Sequence, residues 1–436
     1  MSKKAMIITY GCAMNVNESA KIKKELENKG YEIINDLDKA DIVFLNTCTI
    51  REGAAEKVYG KLGQLKTLKK KNKDLFIGVT GCLAQEQSEE LMKKAPHINM
   101  ILGNQNIYKI SEYLDKINNE EIKNIVLIED EDILPPTLEA NFDSNITASI
   151  SITYGCNNFC SYCIVPYVRG RERSVPLEEI LKEAEIYVKK GYKEILLLGQ
   201  NVNSYGKDLE NTSFSALLKE ICKIEGKFRL RFISPHPRDF TDDVIDTIAK
   251  EDKICKSIHL PLQSGSTDII KAMNRGYTKE KYLELAEKIK SKVKNVSLTT
   301  DIIVGFPGET EKDFEDTMDV VSKVRYENAF TFMYSKRKRT PAATMENQID
   351  EKVKKERLQK LIELQRKITG EISNEYQDKV VEILVEGPTK KNKENYYGRT
   401  DTNKIVIIKK DEKIKGQFVN VKINETRTWT LYGEIV

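Results

Sequence analysis

Residues 148–163 read ASISITYGCNNFCSYC. The first six alternate apolar and polar residues, the period of two that marks a β-strand. Gly155 then breaks the run, and Cys156, Cys160 and Cys163 follow in a Cys-x3-Cys-x2-Cys pattern. Further strand-like runs lie at 194–198, 229–233, 257–262, 296–304 and 329–334, each separated from the next by a helical length of chain. Six βα units of this spacing predict a partial or complete parallel barrel, whose catalytic groups stand at the carboxyl ends of the strands. The cysteine loop follows the first strand and so falls on that face. A charged helix at about 352–373 closes a core domain of residues 144–373.

Upstream, residues 4–120 alternate strand and helix, with strands at 5–9, 42–46 and 75–80 and helices at 18–29 and 53–68. That alternation predicts a doubly wound parallel sheet. Residues 121–143 are acidic, contain Pro135-Pro136, and read as a linker. Downstream, residues 375–436 carry short β-runs at 380–386, 405–408, 417–423 and 430–435 between turn-rich stretches. They predict a small, OB-like β-barrel. The whole is an α/β chain of three domains, as its 436 residues suggest at roughly 150 per domain.

Hydrophobic residues make up 40% of the chain, enough for folded cores, so a wholly disordered protein is excluded. No apolar run approaches the ~20 residues of a membrane span, and the N-terminal apolar stretch is too short for a secretory signal. The expectation is a cytoplasmic protein. Its net charge of +4 is nearly balanced, so any nucleic-acid binding must come from local patches.

Eight cysteines in a reducing compartment point to metal ligation or thiol chemistry rather than disulfides. Three clustered thiolates can hold three irons of a 4Fe–4S cube and leave the fourth open to a ligand. A zinc site completed by His236 or His259 is the other reading, but structural zinc wants four protein ligands. Cys12, Cys48 and Cys82 are dispersed, yet each ends a predicted strand and precedes a helix, at separations of 36 and 34 residues. In an open α/β sheet such ends converge on one crevice. They are then either small core residues or a second three-thiolate site, and the shared register favours the site. Cys222 and Cys255 have no partner motif.

The Cys-x3-Cys-x2-Cys loop, with Tyr162 before its last cysteine, resembles that of radical S-adenosylmethionine (SAM) enzymes. Two three-cysteine sets followed by a β-barrel resemble the methylthiotransferase family within them. The likeness covers essentially the whole chain and is carried by TYGCAMNVNESAK, LNTCTIREGAAEKVYGKLGQLK, SITYGCNNFCSYCIVPYVRGRERS, LLLGQNVNSYG, HLPLQSGSTDIIKAMNRGYT, TTDIIVGFPGETEKDF and YGRTDTNKIV. It implies a methylthiotransferase domain, a radical SAM (βα)6 core and a TRAM domain. It also implies two 4Fe–4S clusters, on Cys12/Cys48/Cys82 and on Cys156/Cys160/Cys163, with SAM on the open iron of the second. One SAM would methylate a sulfur and another yield a radical that takes hydrogen from carbon 2 of a dimethylallylated adenine, at position 37 of tRNA. In one respect the chain departs from the family: a glycine is expected before Thr340-Pro341, and Lys336–Arg339 stands there instead.

With SAM implied by the resemblance and by Tyr162, the polar groups that end predicted barrel strands are candidates to bind it: Gln200, Asn201 and Gln263, and Ser234 as part of a SAM or substrate pocket. Gln200 and Asn201 also read as a helix-capping turn. Arg169, Arg171 and Arg173 follow the cluster loop and fit phosphates around a presented base. Tyr396, Tyr397 and Trp429 offer stacking groups. The expected partner is the anticodon stem-loop of tRNA, bound by a monomer, with sulfur source and electron donor unidentified. Competing readings are a methylthiotransferase for another tRNA adenosine or a ribosomal-protein aspartate, and a non-catalytic iron–sulfur RNA-binding protein.

Overall fold

In the computed structural model the N-terminal strands are β1 (Lys4–Thr9), β2 (Glu32–Ile33), β3 (Ile42–Thr47), β4 (Phe76–Gly81), β5 (Met100–Leu102) and β6 (Ile125–Leu127). The structure describes residues 3–49, 53–119, 122, 124–128, 134–137 and 139–436. All six strands are parallel, in the order β2-β1-β3-β4-β5-β6. Every residue of β3 and β4 is buried, as central parallel strands covered on both faces must be. Val43 and Leu45 pack into one core with Leu62, Leu65 and Ile77, while Ile42 and Phe44 pack into the other with Ile22 and Leu26. The covering helices include α1 (Ala13–Asn28), α2 (Ala54–Lys71), α3 (Cys82–Lys94) and α4 (Ile110–Asn118).

The strand β6 corrects the linker expected at 121–143: Ile125 to Leu127 pair in register with Met100 to Leu102 as an edge strand. Its three apolar residues sit among acidic ones, which hides the strand in sequence. Residues 121, 123, 129–133 and 138 of that stretch lie outside the described residues.

The chain forms two compact units. The first runs to Asp143 and also includes Thr153–Asn157 and Ile164–Val175, two stretches the sequence assigns to the core domain. The second comprises Ser144–Ile152, Asn158–Cys163 and Pro176–Val436. It opens with β7 (Thr147–Ser151). In the first unit β8 (Thr153–Tyr154) pairs antiparallel with β9 (Arg173–Ser174), and the short helix α5 (Val165–Arg169) lies between them in sequence.

The remaining core strands are β10 (Glu194–Leu198), β11 (Arg229–Phe232), β12 (Ser257–His259), β13 (Ser297–Val304) and β14 (Asn328–Met333). They form two parallel three-stranded sheets, β7-β10-β11 and β12-β13-β14, linked by a parallel bridge between Leu230 and Ile254. Six strands make an open arc of a barrel. The strand expected at 257–262 ends at His259, two residues before Pro261. The helix Glu351–Asn374 is tied to the end of the core, where Gln365 Nε2 donates to Tyr326 O (2.8 Å) and Thr369 Oγ1 to Glu327 O (3.0 Å).

The C-terminal barrel closes in the order β15 (Val380–Pro388), β16 (Asn395–Arg399), β17 (Ile405–Lys409), β19 (Thr430–Ile435), β18 (Phe418–Thr426). Its β16, Asn-Tyr-Tyr-Gly-Arg, does not read as a strand from sequence. Tyr396, expected as an exposed stacking group, is part of the barrel core, whereas Trp429 is exposed. This barrel sits at the amino-terminal ends of the core strands. Glu194, the first residue of β10, accepts from Arg231 Nε (3.0 Å) and from Arg399 Nη2 (2.9 Å), and Arg229 donates to Arg399 O and Glu382 O.

Candidate functional site

In the first unit Cys12 follows β1 and caps α1, Cys48 follows β3, and Cys82 opens α3 directly after β4. The three strands are neighbours, and the register pairs Thr9 with Asn46 and Thr47 with Gly81, so the three cysteines stand at one end of the sheet. Strand order reverses between β1 and β3, the position where such sheets bind ligands. Gly11 and Gly81 both have positive φ. A Cβ on Gly11 would lie 2.8 Å from Cys48 Cβ, and one on Gly81 would lie 2.2 Å from Thr47 O. Only glycine lets the three strand ends approach this closely.

A buried polar frame holds these ends. Asn15 Nδ2 donates to Asn46 Oδ1 (2.8 Å), Asn46 Nδ2 donates to Asn15 O (2.9 Å) and Ser19 Oγ (3.1 Å), and Cys12 Sγ lies 3.2 Å from Asn15 Oδ1. Burial pushes the Cys82 thiol up to about 11, with Arg169 pulling the other way. Arg169 is itself buried and donates to Glu18 of α1 at 2.8 Å. This corrects its expected role as a phosphate contact, because a fork engaged by a buried carboxylate is closed to RNA. Cys82 packs against Ile164 and Val168, and Asn104 Nδ2 lies 3.7 Å from its Sγ while donating to Val168 O (2.9 Å). Asn15, Glu18 and Asn46 were not singled out by sequence; the signal of the first two is a polar run, NVNES, whose Asn15, Asn17, Glu18 and Ser19 prove buried on α1, and that of Asn46 is a polar residue inside the buried strand β3.

Among the described residues no three His, Cys, Asp or Glu side chains gather closely enough for a single ion. An iron–sulfur cube takes each thiolate on a different iron, so its ligands stand apart. Three thiols, two glycine-cleared strand ends and a neighbouring guanidinium suit such an anionic, sulfur-ligated group.

In the other cysteine loop Cys156 and Cys160 are buried and Cys163 is half-buried. Gly155 has φ 76°, and a Cβ there would lie 2.0 Å from Arg171 O. Phe159 adopts φ 46°, which strains a non-glycine residue. Around Cys160 the loop is pinned: Ser161 Oγ donates to Ala272 O (2.8 Å) and Asn274 Nδ2 to Phe159 O (3.0 Å). The buried Arg275 lies 3.7 Å from Cys160 Sγ through Nη1, which also donates to Tyr162 Oη (2.9 Å); its Nε donates to Tyr277 Oη (2.7 Å) and its Nη2 to Pro261 O (3.0 Å). Arg275 was missed from sequence, where it reads as an ordinary charge near a helix end.

The other expected groups sit at the carboxyl ends of the core strands. Gln200 Oε1 and Asn201 Oδ1 are buried without a hydrogen-bond partner among the described residues, while Asn201 Nδ2 donates to Asp239 Oδ2 (2.8 Å). Ser234 and Gln263 both have left-handed backbone, φ 63° and 64°. Gln263 N donates to Asp301 O (2.8 Å). His236 is buried with Nε2 unpartnered, and burial together with the Arg275 charge pushes it down to about 2. It is therefore neutral at physiological pH. Arg171 is exposed and Arg173 partly so. Arg339 stands at φ 69°, so the position where the family likeness implies glycine does require left-handed backbone.

Comparison with known proteins matches residues 4–103 to Uncharacterized protein family UPF0004, 150–321 to the Radical SAM superfamily and 374–436 to the TRAM domain. The chain is 65% identical over 435 residues, all of both chains, to tRNA-2-methylthio-N(6)-dimethylallyladenosine synthase of Fusobacterium nucleatum. It is 49% identical to the protein of that name from Alkaliphilus oremlandii, over all of this chain and 93% of that one. Among solved structures it resembles the radical S-adenosylmethionine methyltransferase TsrM from Kitasatospora setae. There the TM-score is 0.59 at 14% identity, over 79% of this chain and 77% of that one.

Proposed function

The chain belongs to the tRNA-2-methylthio-N(6)-dimethylallyladenosine synthase family, and we propose that its two sets of three cysteines divide that family's reaction between them. It is a radical SAM tRNA methylthiotransferase that uses two 4Fe–4S clusters and SAM, converting N6-(dimethylallyl)adenosine to its 2-methylthio derivative. Full-length likeness at 65% identity leaves no support for a ribosomal-protein substrate or a non-catalytic RNA-binding role.

Bound, the clusters and SAM supply the sulfur and the radical that an unactivated aromatic C–H requires; no acid–base pair could remove that hydrogen as a proton. The chain supplies placement. Cys12, Cys48 and Cys82 hold the sulfur-donating centre, and the convergence of their strand ends is the observation that carries this reading. Arg169 sets a positive charge beside it, and Glu18 orients that charge. Cys156, Cys160 and Cys163 hold the SAM-binding centre. Arg275 sets a buried cation beside Cys160 and fixes the Tyr162 hydroxyl. The unpartnered oxygens of Gln200 and Asn201 are acceptors for the ammonium of SAM, and the neutral His236 adds no charge of its own beside them. Ser234 and Gln263 present backbone to the ligand through their left-handed turns.

The same reading assigns the reaction to position 37 in the anticodon loop, where carbon 2 can leave the stack, carried out by a cytoplasmic monomer. Among the described residues no helix is long and apolar enough to cross a membrane. Mass analysis of tRNA nucleosides from a strain lacking the gene tests it. The methylthio nucleoside should vanish, the dimethylallyl precursor should accumulate, and re-expression should restore the product; an unchanged nucleoside profile overturns the reading.

A further inference from the structure

Strand β14 ends the open arc of the core barrel, and two of its large apolar side chains, Phe330 and Phe332, are 50% and 51% exposed. Two residues apart on a strand, they share a face. Direct contacts identify that face. In register, Phe330 pairs with Asp301 and Phe332 with Ile303. The ring of His259 meets Phe330 edge-on at 6.1 Å between centroids, while its Nδ1 lies 3.0 Å from Thr299 Oγ1 and its Nε2 lies 3.3 Å from Asp301 Oδ2. Ile303 packs into the cluster that also takes in Tyr162 of the cysteine loop. On β13 the alternate residues Leu298, Ile302 and Val304 are buried. The half-exposed face is thus the inner wall of the arc, and its polar members are already engaged with one another.

We propose that Phe330 and Phe332 form the wall against which the substrate adenine and its dimethylallyl branch lie. The inference rests on the methylthiotransferase reading and adds the element that selects the prenylated base. The fit is chemical. The base offers an aromatic face, which stacks on aromatic side chains. The five-carbon branch offers apolar surface that only an apolar wall rewards. Two adjacent rings can cover both. A plain adenosine gives up the branch contact, so the wall discriminates as well as binds.

The test uses the full-length holoenzyme and anticodon stem-loop RNAs carrying either dimethylallyladenosine or adenosine. Affinity is measured by fluorescence anisotropy for wild type, Phe332→Ala, Phe330→Ala and the conservative Phe332→Leu. Wild type should prefer the prenylated RNA by about tenfold. Each alanine variant should cut that ratio by at least threefold, Phe332→Leu should recover most of it, and the affinity for SAM should stay within twofold. An unchanged ratio in both alanine variants overturns the proposal, as does a loss confined to SAM binding, which would make SAM the occupant. So does a wild type that forms product yet binds both RNAs equally. A wild type that forms no methylthio product from the prenylated RNA would instead overturn the underlying reading of the function.

Discussion

The Arg169 guanidinium donates to the Glu18 carboxylate at 2.8 Å, and both side chains are buried. They come from distant parts of the chain: Glu18 lies on α1 just after Cys12, and Arg169 follows the Cys156–Cys163 motif by six residues. The segment after the radical SAM motif thus contributes a charge to the three-cysteine end of the first unit. Removing one partner of a buried pair leaves the other charge uncompensated, at a cost of about 3–5 kcal/mol.

Arg169→Met should therefore weaken the N-terminal cluster. In a background with Cys156, Cys160 and Cys163 changed to Ala, all bound iron belongs to the other set. There the Arg169→Met substitution should lower iron content at least twofold after desalting and lower the melting temperature. Iron content equal to that of the parent would show that Arg169 supports the fold alone.

The same burial separates Arg169 from its neighbours in tRNA binding. Arg171 is exposed, and Arg171→Ala should reduce the slope of log affinity against log salt by about 0.7–0.9, one phosphate contact. Arg169→Met should leave the slope unchanged even where overall affinity falls. Salt titrations of both variants against unlabelled tRNA check this; an equal loss of slope in each would contradict the assignment.

Glu194 carries a pH dependence. Burial works to raise its carboxyl, but the Arg231 and Arg399 charges and hydrogen bonds outweigh burial and hold it below the ordinary glutamate range. A carboxylate depressed in the folded state stabilises above the unfolded value, about 4.3, and loses that contribution as pH falls through the folded value. Melting temperature from pH 7 to pH 3 should fall more steeply below about pH 4.5 in wild type than in Glu194→Gln. At pH 7 the variant should be less stable by about 3 kcal/mol, since the buried Arg231 loses its carboxylate while the partly buried Arg399 keeps Glu386. Parallel profiles would show that another group carries the acid sensitivity.

Much of this architecture was legible because it rests on periodicity and spacing. The alternation at 148–153, the βα repeat that puts Cys12, Cys48 and Cys82 at equivalent strand ends, and the three-cysteine loop are all local patterns. What escaped depends on partners far along the chain. A three-residue strand such as β5 or β6 has too few residues for a period of two to register, and β16 hides behind a Tyr-Tyr-Gly that reads as a turn. Arg169, Arg171 and Arg173 look alike in sequence; only the carboxylate of Glu18, 151 residues away, distinguishes the first. Arg275 is likewise ordinary until Cys160, Tyr162 and Tyr277 surround it. The unsatisfied oxygens of Gln200 and Asn201 become informative once their burial is known.

The division of labour between the two cysteine sets is tested most directly by one comparison on reconstituted enzyme with SAM, dithionite and prenylated tRNA. In the variant with Cys12, Cys48 and Cys82 all changed to Ala, 5′-deoxyadenosine and the methylthio nucleoside are measured together. The account predicts that 5′-deoxyadenosine still forms, within about threefold of wild type, while the methylthio nucleoside disappears. Loss of 5′-deoxyadenosine in a variant that keeps about half the wild-type iron, or methylthio product formed without those three thiols, would contradict it.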